Sequence, residues 1–389
     1  MKIYNKEKWE KVKLGEIFEL QMGKTPSRNK ENYWRHGENS WISISDMKNE
    51  EKYICDTKEK ITDLAVEESK IKVIPKDTVI MSFKLSIGKL AITSKDMFTN
   101  EAIMAFFPKD KVEIDNNYLF YSLKKVNWTE GTNKAVKGLT LNKPLIASKE
   151  ILLPSIQIQK EIAKRLDIVM EILKAKRKIL LQLDELSKCL FEVEFLNKSY
   201  YKYPLCECTT FIDYRGRTPQ ISSEGTIQMI NAKSVGKNNF KYIDEFVTEE
   251  IYNLCMTRGL GEAGDILFVT EGHTFGNVCI IPENFKKFAL GQRVITIRGK
   301  KEQILNKYLC YYMQTEEFKK DINMYKTGGT AQGIRSKDLG KILIPIPELK
   351  LQNQFAERVK MIEKSKFEIQ KSIEETQKLF DSLMEKYFG

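Results

Sequence analysis

The 389-residue sequence has only two histidines, His36 and His273, and neither stands in a pattern that suggests a Ser/His/Asp-like site. No Gly-x4-Gly-Lys-Ser/Thr loop occurs, because Ser86–Lys89 lacks the leading glycine and the hydroxyl after the lysine. Gly259–Gly264 matches a Gly-x-Gly-x-x-Gly string, but it precedes a predicted strand and opens no helix. There is no Pro-Pro pair, which excludes the Asn/Asp-Pro-Pro-aromatic motif of amino-methyltransferases. These absences predict no catalytic residues and favour a protein that recognises a ligand over an enzyme.

The seven cysteines are scattered, and only Cys206 and Cys208 lie close together. Without a second such pair or a histidine cluster this spacing does not suit zinc, so no metal site is predicted. Reduced thiols are typical of a cytoplasmic protein. The polar N-terminus, and the lack of an apolar run near the ~18 residues of a membrane span, predict neither a secretory signal nor a membrane segment.

What the sequence does contain is a unit repeated after about 190 residues. Two copies are too few for a solenoid, so the repeat predicts a pseudo-two-fold protein, which suits a two-part ligand. The repeated blocks are Gly23–Pro26 and Gly216–Pro219, Asp77–Gly88 and Asp265–Gly276, Tyr118–Tyr121 and Tyr308–Tyr311, and Pro154–Arg165 and Pro347–Arg358.

Each copy closes with a long helical pattern that no glycine or proline interrupts, over residues 156–196 and 348–388. Apolar residues recur there at gaps of three and four, interrupted by Lys176, Lys366 and Thr376, which is typical of a coiled-coil seam. We expect the two helices to pair with each other; the alternative is that each packs onto its own domain. The predicted seam residues are Val169, Ile172, Ile179, Leu183, Leu186, Leu190 and Val193 in the first helix and Val359, Ile362, Ile369, Ile373, Phe380, Leu383 and Tyr387 in the second.

The repeat predicts four segments: a globular domain over 1–150, a helix over 151–197, a second globular domain over 198–341 and a second helix over 342–389. The formal net charge is +11, and nearly all of this excess lies equally in the two globular regions, since the helices are close to neutral. Two equally basic domains predict a polyanion that contacts both, and DNA is the obvious candidate.

Short strand-like runs alternate with polar turns in each globular region, which predicts an α+β fold with grouped strands. The predicted strands cover residues 41–45, 78–83 and 102–106 in the first copy and 227–231, 266–270 and 294–297 in the second, with amphipathic helices over 117–125 and 306–315.

Polar and basic residues of the matched turns are the candidates for contacting DNA. A glycine-led turn with a cation and a hydroxyl presents backbone N–H groups and positive charge to a phosphate; the alternative is a plain turn. The loops after the apolar strands and before the long helices supply further candidates. The candidates are Lys24, Thr25, Ser43, Ser45, Lys84, Lys89, Lys134 and Lys137 in the first copy and Arg215, Arg217, Thr218, Gln228, Asn231, Lys233, His273, Gln292 and Gln332 in the second.

In this order the motifs resemble the specificity (S) subunit of type I restriction-modification systems. The resemblance rests on the two Gly-Lys/Arg-Thr-Pro turns, the two aspartate-to-glycine blocks and the helix starts at 151–159 and 342–352, and it covers the whole chain. It implies two target-recognition domains, each reading one half of a bipartite site in double-stranded DNA. It also implies that an antiparallel coiled coil of the two long helices separates these domains.

The resemblance further implies partners. Two methyltransferase (M) subunits would bind S-adenosylmethionine and methylate adenine, and restriction (R) motor subunits would use ATP and Mg²⁺ to cleave unmodified DNA. This chain would then bind no cofactor itself. Two alternatives remain: a recognition fragment of a fused restriction-methylation enzyme, which the completeness of both repeats disfavours, and a coiled-coil scaffold that binds only proteins, which the charge of the globular domains disfavours.

Overall fold

The computed structural model describes residues 6, 9–48, 51–130, 141–214, 218–326 and 332–389. The chain divides into two compact units, Met1–Lys178 with Gln370–Gly389, and Ile179–Ile369. Each unit therefore contains one globular domain, the adjoining half of one long helix and the far half of the other.

The described residues of the first unit form three sheets: a five-stranded sheet, a three-stranded sheet and a two-stranded ribbon. Its strands are β1 (Glu10–Lys13), β2 (Phe18–Met22), β3 (Asn39–Ile42), β4 (Tyr53–Ile54), β5 (Glu59–Ile61), β6 (Val79–Ser82), β7 (Leu90–Thr93), β8 (Phe98–Thr99), β9 (Ile103–Pro108) and β10 (Glu150–Leu153). The sheet orders are β2-β9-β6-β7-β4, β5-β3-β8 and β1-β10. Its helices are α1 (Leu14–Ile17), α2 (Asp63–Ser69), α3 (Asn116–Lys125), α4 (Lys143–Ser148) and the long α5 (Ile156–Phe191), which runs on into the second unit.

The second unit repeats this plan. Its strands are β11 (Lys202–Pro204), β12 (Thr209–Asp213), β13 (Ile227–Ile230), β14 (Phe246–Val247), β15 (Ile266–Val269), β16 (Val278–Ile280), β17 (Phe288–Leu290), β18 (Val294–Gly299) and β19 (Leu343–Pro345). The sheet orders are β12-β18-β15-β16, β14-β13-β17 and β11-β19. Its helices are α6 (Leu205–Cys208), α7 (Glu249–Cys255), α8 (Asn306–Tyr312), α9 (Glu316–Met324), α10 (Ser336–Leu339) and the long α11 (Leu349–Phe388), which ends in the first unit. The predicted α+β fold is confirmed.

The structural register of the repeat differs from the sequence match at one turn. Ser82 pairs with the first residue of β9 and Val269 with the first residue of β18, so these two positions are equivalent. Asp77 then lies where the second copy has Gly264, and both residues have a left-handed backbone, with φ of 62° and 86°. The match of Asp77 with Asp265 is therefore wrong by one residue. Glycine and aspartate share this place because both tolerate positive φ better than most residues.

A buried glutamine explains why proline and glutamine recur at the start of each long helix. The Gln159 side chain accepts a hydrogen bond from the Asp115 N–H (2.9 Å) and donates to the carbonyl oxygens of Glu113 (3.1 Å) and Pro154 (2.8 Å). The equivalent Gln352 accepts from Leu305 (2.9 Å) and donates to Gln303 (3.1 Å) and Pro347 (2.8 Å). Both glutamines are fully buried, so each satisfied amide fixes its helix start to the loop before α3 or α8.

Within each unit the halves of α5 and α11 lie antiparallel. In the first unit Arg165 donates to the Tyr387 hydroxyl (3.2 Å) and Lys176 donates to the Thr376 hydroxyl (2.6 Å). In the second unit Lys366 pairs with Asp184 and Arg358 pairs with Glu194. Residue numbers thus fall along one helix as they rise along the other. The predicted pairing of the helices is confirmed, and the polar residues that interrupt the apolar rows meet polar partners.

The seam of α11 follows the predicted row, whereas the seam of α5 follows its predicted row only at every second position, at Val169, Lys176, Leu183 and Leu190. Ile373, Phe380, Leu383 and Tyr387 of α11 are buried. By contrast, the predicted seam residues Ile172, Ile179 and Leu186 of α5, and Val193 of the π-helical turn Glu192–Leu196 that follows α5, are 40–70% exposed. The inward row instead contains Leu166, Val169, Leu173, Lys176, Leu180, Leu183, Ser187 and Leu190.

The sequence could have shown this α5 row. Aligning Gln159 with Gln352 gives an offset of 193 residues, and the α11 row moved back by that offset falls on the inward row of α5. The predicted row already included Lys176. It differs from the inward row where it takes Ile172, Ile179 and Leu186, because the inward row has Leu173, Leu180 and Ser187 at these places.

Two other element boundaries differ from the prediction. Strand β3 ends at Ile42, because Ser43 turns the chain by binding Asp46. Helix α8 ends at Tyr312, because the Thr315 side chain accepts a hydrogen bond from the Phe318 N–H and caps α9 instead. Among the helices in the described ranges, none is long and apolar enough to cross a bilayer.

Candidate nucleic-acid interface

In the first domain, polar turns from distant parts of the sequence meet at one edge of the sheets. Strands β2, β3 and β6 end there and β9 begins there, so the connections that follow them become neighbours. These connections are Gly23–Thr25, Ser43–Asp46, Phe83–Gly88 and Asn100–Ala102. Backbone N–H groups join them: Lys24 donates to Thr99 (2.9 Å), Phe83 to Ala102 (2.9 Å) and Asn100 to Ile42 (3.0 Å). The edge therefore gathers Lys24, Thr25, Ser43, Ser45 and Lys84.

The close fit of this edge explains its leading glycine. A Cβ on Gly23 would lie 2.2 Å from the Thr99 carbonyl oxygen and 2.3 Å from that of Asn100. Any side chain would therefore push the turn away from the β8–β9 connection. The glycine allows this close approach, and Pro26 behind it is buried.

The second domain forms the same edge. Its segments are Asn231–Val235 after β13, Thr270–Gly276 after β15, Gly291–Arg293 between β17 and β18, and Gln332–Ile334. Backbone N–H groups again join them: Gly291 donates to Ile230 (2.8 Å), Thr270 to Arg293 (3.0 Å), Gly272 to Gln332 (3.1 Å) and Ile334 to Thr270 (2.9 Å). Five predicted contact residues come together here: Asn231, Lys233, His273, Gln292 and Gln332.

Several candidate side chains at the first edge already bind other groups of the protein. The Lys24 ammonium donates to the Ser69 carbonyl oxygen at 2.6 Å, and the Thr25 hydroxyl donates to the Glu101 carboxylate. The Ser43 hydroxyl donates to Asp46 at 2.6 Å and lies 2.8 Å from the Ser45 hydroxyl. Lys24 keeps its charge near the surface, whereas the hydroxyls of Thr25 and Ser43 must leave a carboxylate before they contact a base.

The second edge divides into bound and available side chains. Lys233 and Asn231 both bind Glu245 at 2.5 Å, and the Lys233 ammonium lowers the pKa of that carboxyl below its ordinary value. Gln228 lies along β13 and donates to the Ile243 carbonyl oxygen, which gives it a structural role. Within the described part of the chain, the exposed side chains of His273, Gln292 and Gln332 have no hydrogen-bonding partner. A free glutamine amide has the donor and acceptor pair that reads adenine.

The remaining candidates fall into two groups. Thr218 is exposed and Lys89 is half-buried, with its N–H bound to the Ser82 hydroxyl at 3.1 Å. Lys134, Lys137, Arg215 and Arg217 lie outside the described residues.

Two residues with left-handed backbones escaped the sequence interpretation. Arg293 (φ 69°) follows Gln292, is exposed, and binds Glu271 at 3.0 Å. Leu85 (φ 63°) is 77% exposed in the loop after β6. A non-glycine residue in this conformation costs about 1–2 kcal/mol, so both are held there by their surroundings. In the sequence, the only indication of either residue is that it lies in a short polar connection between two apolar runs.

A family comparison identifies the class of protein to which these domains belong. The model of the type I restriction modification DNA specificity domain matches residues 6–185 and again residues 211–378. The chain belongs to this family and carries its domain twice. The matched domain is one of DNA specificity, so the predictions of a type I restriction-modification specificity subunit and of a non-catalytic recogniser are confirmed.

Curated relatives agree with this assignment. The MjaIX specificity subunit of Methanocaldococcus jannaschii is 30% identical over 198 residues, which is 50% of this chain and 45% of that subunit. The MjaVIII specificity subunit of the same organism is 26% identical over 387 residues, which is 92% of this chain and 86% of that subunit.

Solved structures share the fold over nearly the whole chain. The type I restriction-modification S subunit from M. genitalium has a TM-score of 0.58 at 16% identity and covers 100% of this chain and 98% of its own. A chain from a structure on complex assembly and conformational transition of the type I system has a TM-score of 0.60 at 15% identity, with 97% of each chain covered.

Proposed function

We propose that each globular domain reads one half of a bipartite sequence in double-stranded DNA through the edge described above. The observation that carries the proposal is the convergence, in both domains, of four polar connections at one sheet edge. Each of the two predicted globular segments, 1–150 and 198–341, would then act as a target-recognition domain. The rival interpretation as a scaffold that binds only proteins gives these edges no role.

At each edge, different side chains would contact the phosphates and the bases. Phosphate contacts position a protein on a duplex, and base-edge contacts select the sequence. Lys24 and Lys84 supply cations at the first edge, and Arg293 supplies one at the second. Gln292, Gln332 and His273 are the available base readers of the second domain, because their polar atoms are not bound within the described part of the chain.

The long helices carry the partners in this proposal. Two methyltransferase (M) subunits would dock on the helices, bind S-adenosylmethionine and methylate adenine, and restriction (R) subunits would use ATP and Mg²⁺ to cleave unmodified DNA. The exposed apolar side chains of Ile172, Ile179 and Leu186 support docking, since the inward row leaves them uncovered. Accordingly, the purified chain should methylate DNA only after an M subunit is added, and methyl transfer by the chain alone would contradict the proposal.

A salt titration of DNA binding tests the reader against the scaffold. The full chain should bind duplex DNA with an affinity that falls steeply as salt rises, and Lys24→Ala should reduce the slope of log affinity against log salt by about one. The base preference should stay unchanged, because a phosphate contact carries no sequence information.

Lys95→Ala is the matched control. Lys95 is also exposed, but it follows β7, whose end lies at the opposite edge of the same sheet. It should leave the slope unchanged. Binding without salt dependence, or an equal effect of the two variants, would remove the support for this edge.

A further inference from the structure

The loop after β6 carries an apolar side chain where solvent would favour a polar one. Leu85 is 77% exposed and its backbone is left-handed, with φ of 63°. Leucine rarely adopts this conformation, because its Cβ comes too close to the backbone. Neither burial nor backbone preference explains Leu85 at this place, and a strained, exposed residue of this kind is a candidate for function.

The loop around Leu85 is firmly built. The Gly88 N–H donates to the Ser82 carbonyl oxygen at 2.9 Å, the Lys89 N–H donates to the Ser82 hydroxyl at 3.1 Å, and that hydroxyl donates to Ser86. The buried Trp128 ring packs behind Gly88, where a Cβ would lie 3.2 Å from its Cδ1 atom. Leu85 is therefore presented from a rigid base.

The position of Leu85 points to its partner. Phe83 binds Ala102 in the same edge that holds Lys24, so the loop belongs to the proposed DNA-contacting edge of the first domain. Lys84 and Lys89 flank the leucine on either side along the loop and place cations beside it. Proteins that kink DNA use this combination, with an apolar wedge between base pairs and cations at the phosphates around it.

We propose that Leu85 inserts between two stacked base pairs of the first half-site and unstacks them. This inference rests on the proposed function of the domain as a DNA reader. The second domain makes a contrasting contact, because the equivalent loop has the exposed His273 and Thr274 and lacks an apolar tip. The Gly276 N–H still donates to the Val269 carbonyl oxygen at 3.0 Å, so the two loops share their anchor and differ in what they present.

Fluorescence of 2-aminopurine tests the wedge. The complex of the full chain with its methyltransferase subunits is mixed with duplexes that carry its methylation site. 2-Aminopurine is placed in turn at positions of either half-site other than the methylated adenine. The wild-type chain should raise the fluorescence at one step of the first half-site. Leu85→Asn should abolish that rise and weaken binding about tenfold, with the base preference retained.

Asparagine is chosen because it tolerates positive φ, so the loop should stay formed and the urea-unfolding curve should not move to lower denaturant. Lys95→Asn, an exposed position at the opposite edge of the same sheet, is the control and should leave the signal in the first half-site unchanged. A fluorescence rise that persists in Leu85→Asn would overturn the proposed insertion of Leu85, and so would specific binding by the wild type without a rise in the first half-site. Neither result would contradict the proposed DNA-reading function of the domain. Failure of the wild-type complex to prefer its own site overturns both.

Discussion

The two units hold the start of their long helix with the same hydrogen bonds but present different side chains at their edges. The Tyr118 hydroxyl donates to Leu152 at 2.7 Å, and the Tyr308 hydroxyl donates to Pro345 at 2.9 Å. At the edges, however, the loop after β6 exposes Leu85, and the loop after β15 exposes His273. Duplication has therefore kept the groups that fix the fold and varied those that face the proposed ligand. This division is what two readers of different half-sites require.

The helix pair shows the same agreement at its ends. Phe388 packs against Tyr118 with ring centroids 5.3 Å apart, and the equivalent Phe195 packs against Tyr308 at 4.9 Å. Arg165 contacts Tyr387, and its equivalent Arg358 contacts Glu194, which occupies the place of that tyrosine. Within the seam, Leu173 of α5 occupies the position equivalent to Lys366 of α11. Leu173 makes an apolar contact there, whereas Lys366 forms an ion pair with Asp184.

The largest effect is expected from a charge placed in the inward row of α5. Leu173 is 2% exposed and the neighbouring Ile172 is 42% exposed. Leu173→Asp should lower the free energy of unfolding by about 3 kcal/mol or more, because it buries an unpaired carboxylate. Ile172→Asp should change it by less than about 1 kcal/mol. Urea unfolding of the two full-length variants measures both, and a larger loss for Ile172→Asp would return the seam to the row predicted from sequence.

The buried glutamines test whether the two helix starts are equivalent. Gln159→Leu and Gln352→Leu each remove three hydrogen bonds and leave a buried N–H and two carbonyl oxygens unsatisfied. Each should cost about 3 kcal/mol of unfolding free energy. Gln354→Leu, on the exposed side of α11, is the control and should have little effect. If only one of the two buried substitutions is damaging, the helix starts are not equivalent in energy.

A smaller effect is expected at the polar contact inside the seam. The Lys176 ammonium binds the hydroxyls of Ser372 (2.7 Å) and Thr376 (2.6 Å) and the Ser372 carbonyl oxygen (3.1 Å). Replacing Lys176 and Thr376 together by leucine should raise the unfolding free energy by about 1 kcal/mol, because apolar residues of similar volume pack without desolvating an ammonium.

That double variant should also fix the helix register less strictly, since a polar seam residue specifies register at some cost in stability. The control is Lys174→Leu, which adds a leucine to the exposed face of α5. The thermal midpoint of each full-length variant provides the readout. A loss of stability in the double variant would mean that the ammonium contributes net stability to the seam.

Periodicity and repetition were enough to predict the long helices, their pairing, the buried strands and the α+β class, because these depend on apolar spacing. They failed where a polar group decides the packing. The predicted row of α5 included Lys176, but it took Leu186 where the inward row has Ser187, which an apolar pattern cannot select. Likewise Ser43 was assigned to a strand, because its bond to Asp46 is a local turn that alternation does not reveal.

The candidate site was predictable as a set of turns but not as a surface. Glycine and proline marked Gly23–Pro26, and the polar loops after the apolar strands marked the rest. Which of these side chains bind within the protein depends on neighbours far along the chain, as with Thr25 and Glu101 or Lys233 and Glu245. Leu85 was missed because an exposed leucine carries no signal of its own in a sequence.

Exchange of one domain tests the two-reader account most directly. Residues 1–150 are replaced by the corresponding domain of another family member, with 156–197 kept, and methylated adenines are mapped by sequencing in cells that carry the methyltransferase subunits. One half of the recognised sequence should change, while the other half and the spacer length stay fixed. A change in both halves together would contradict the account.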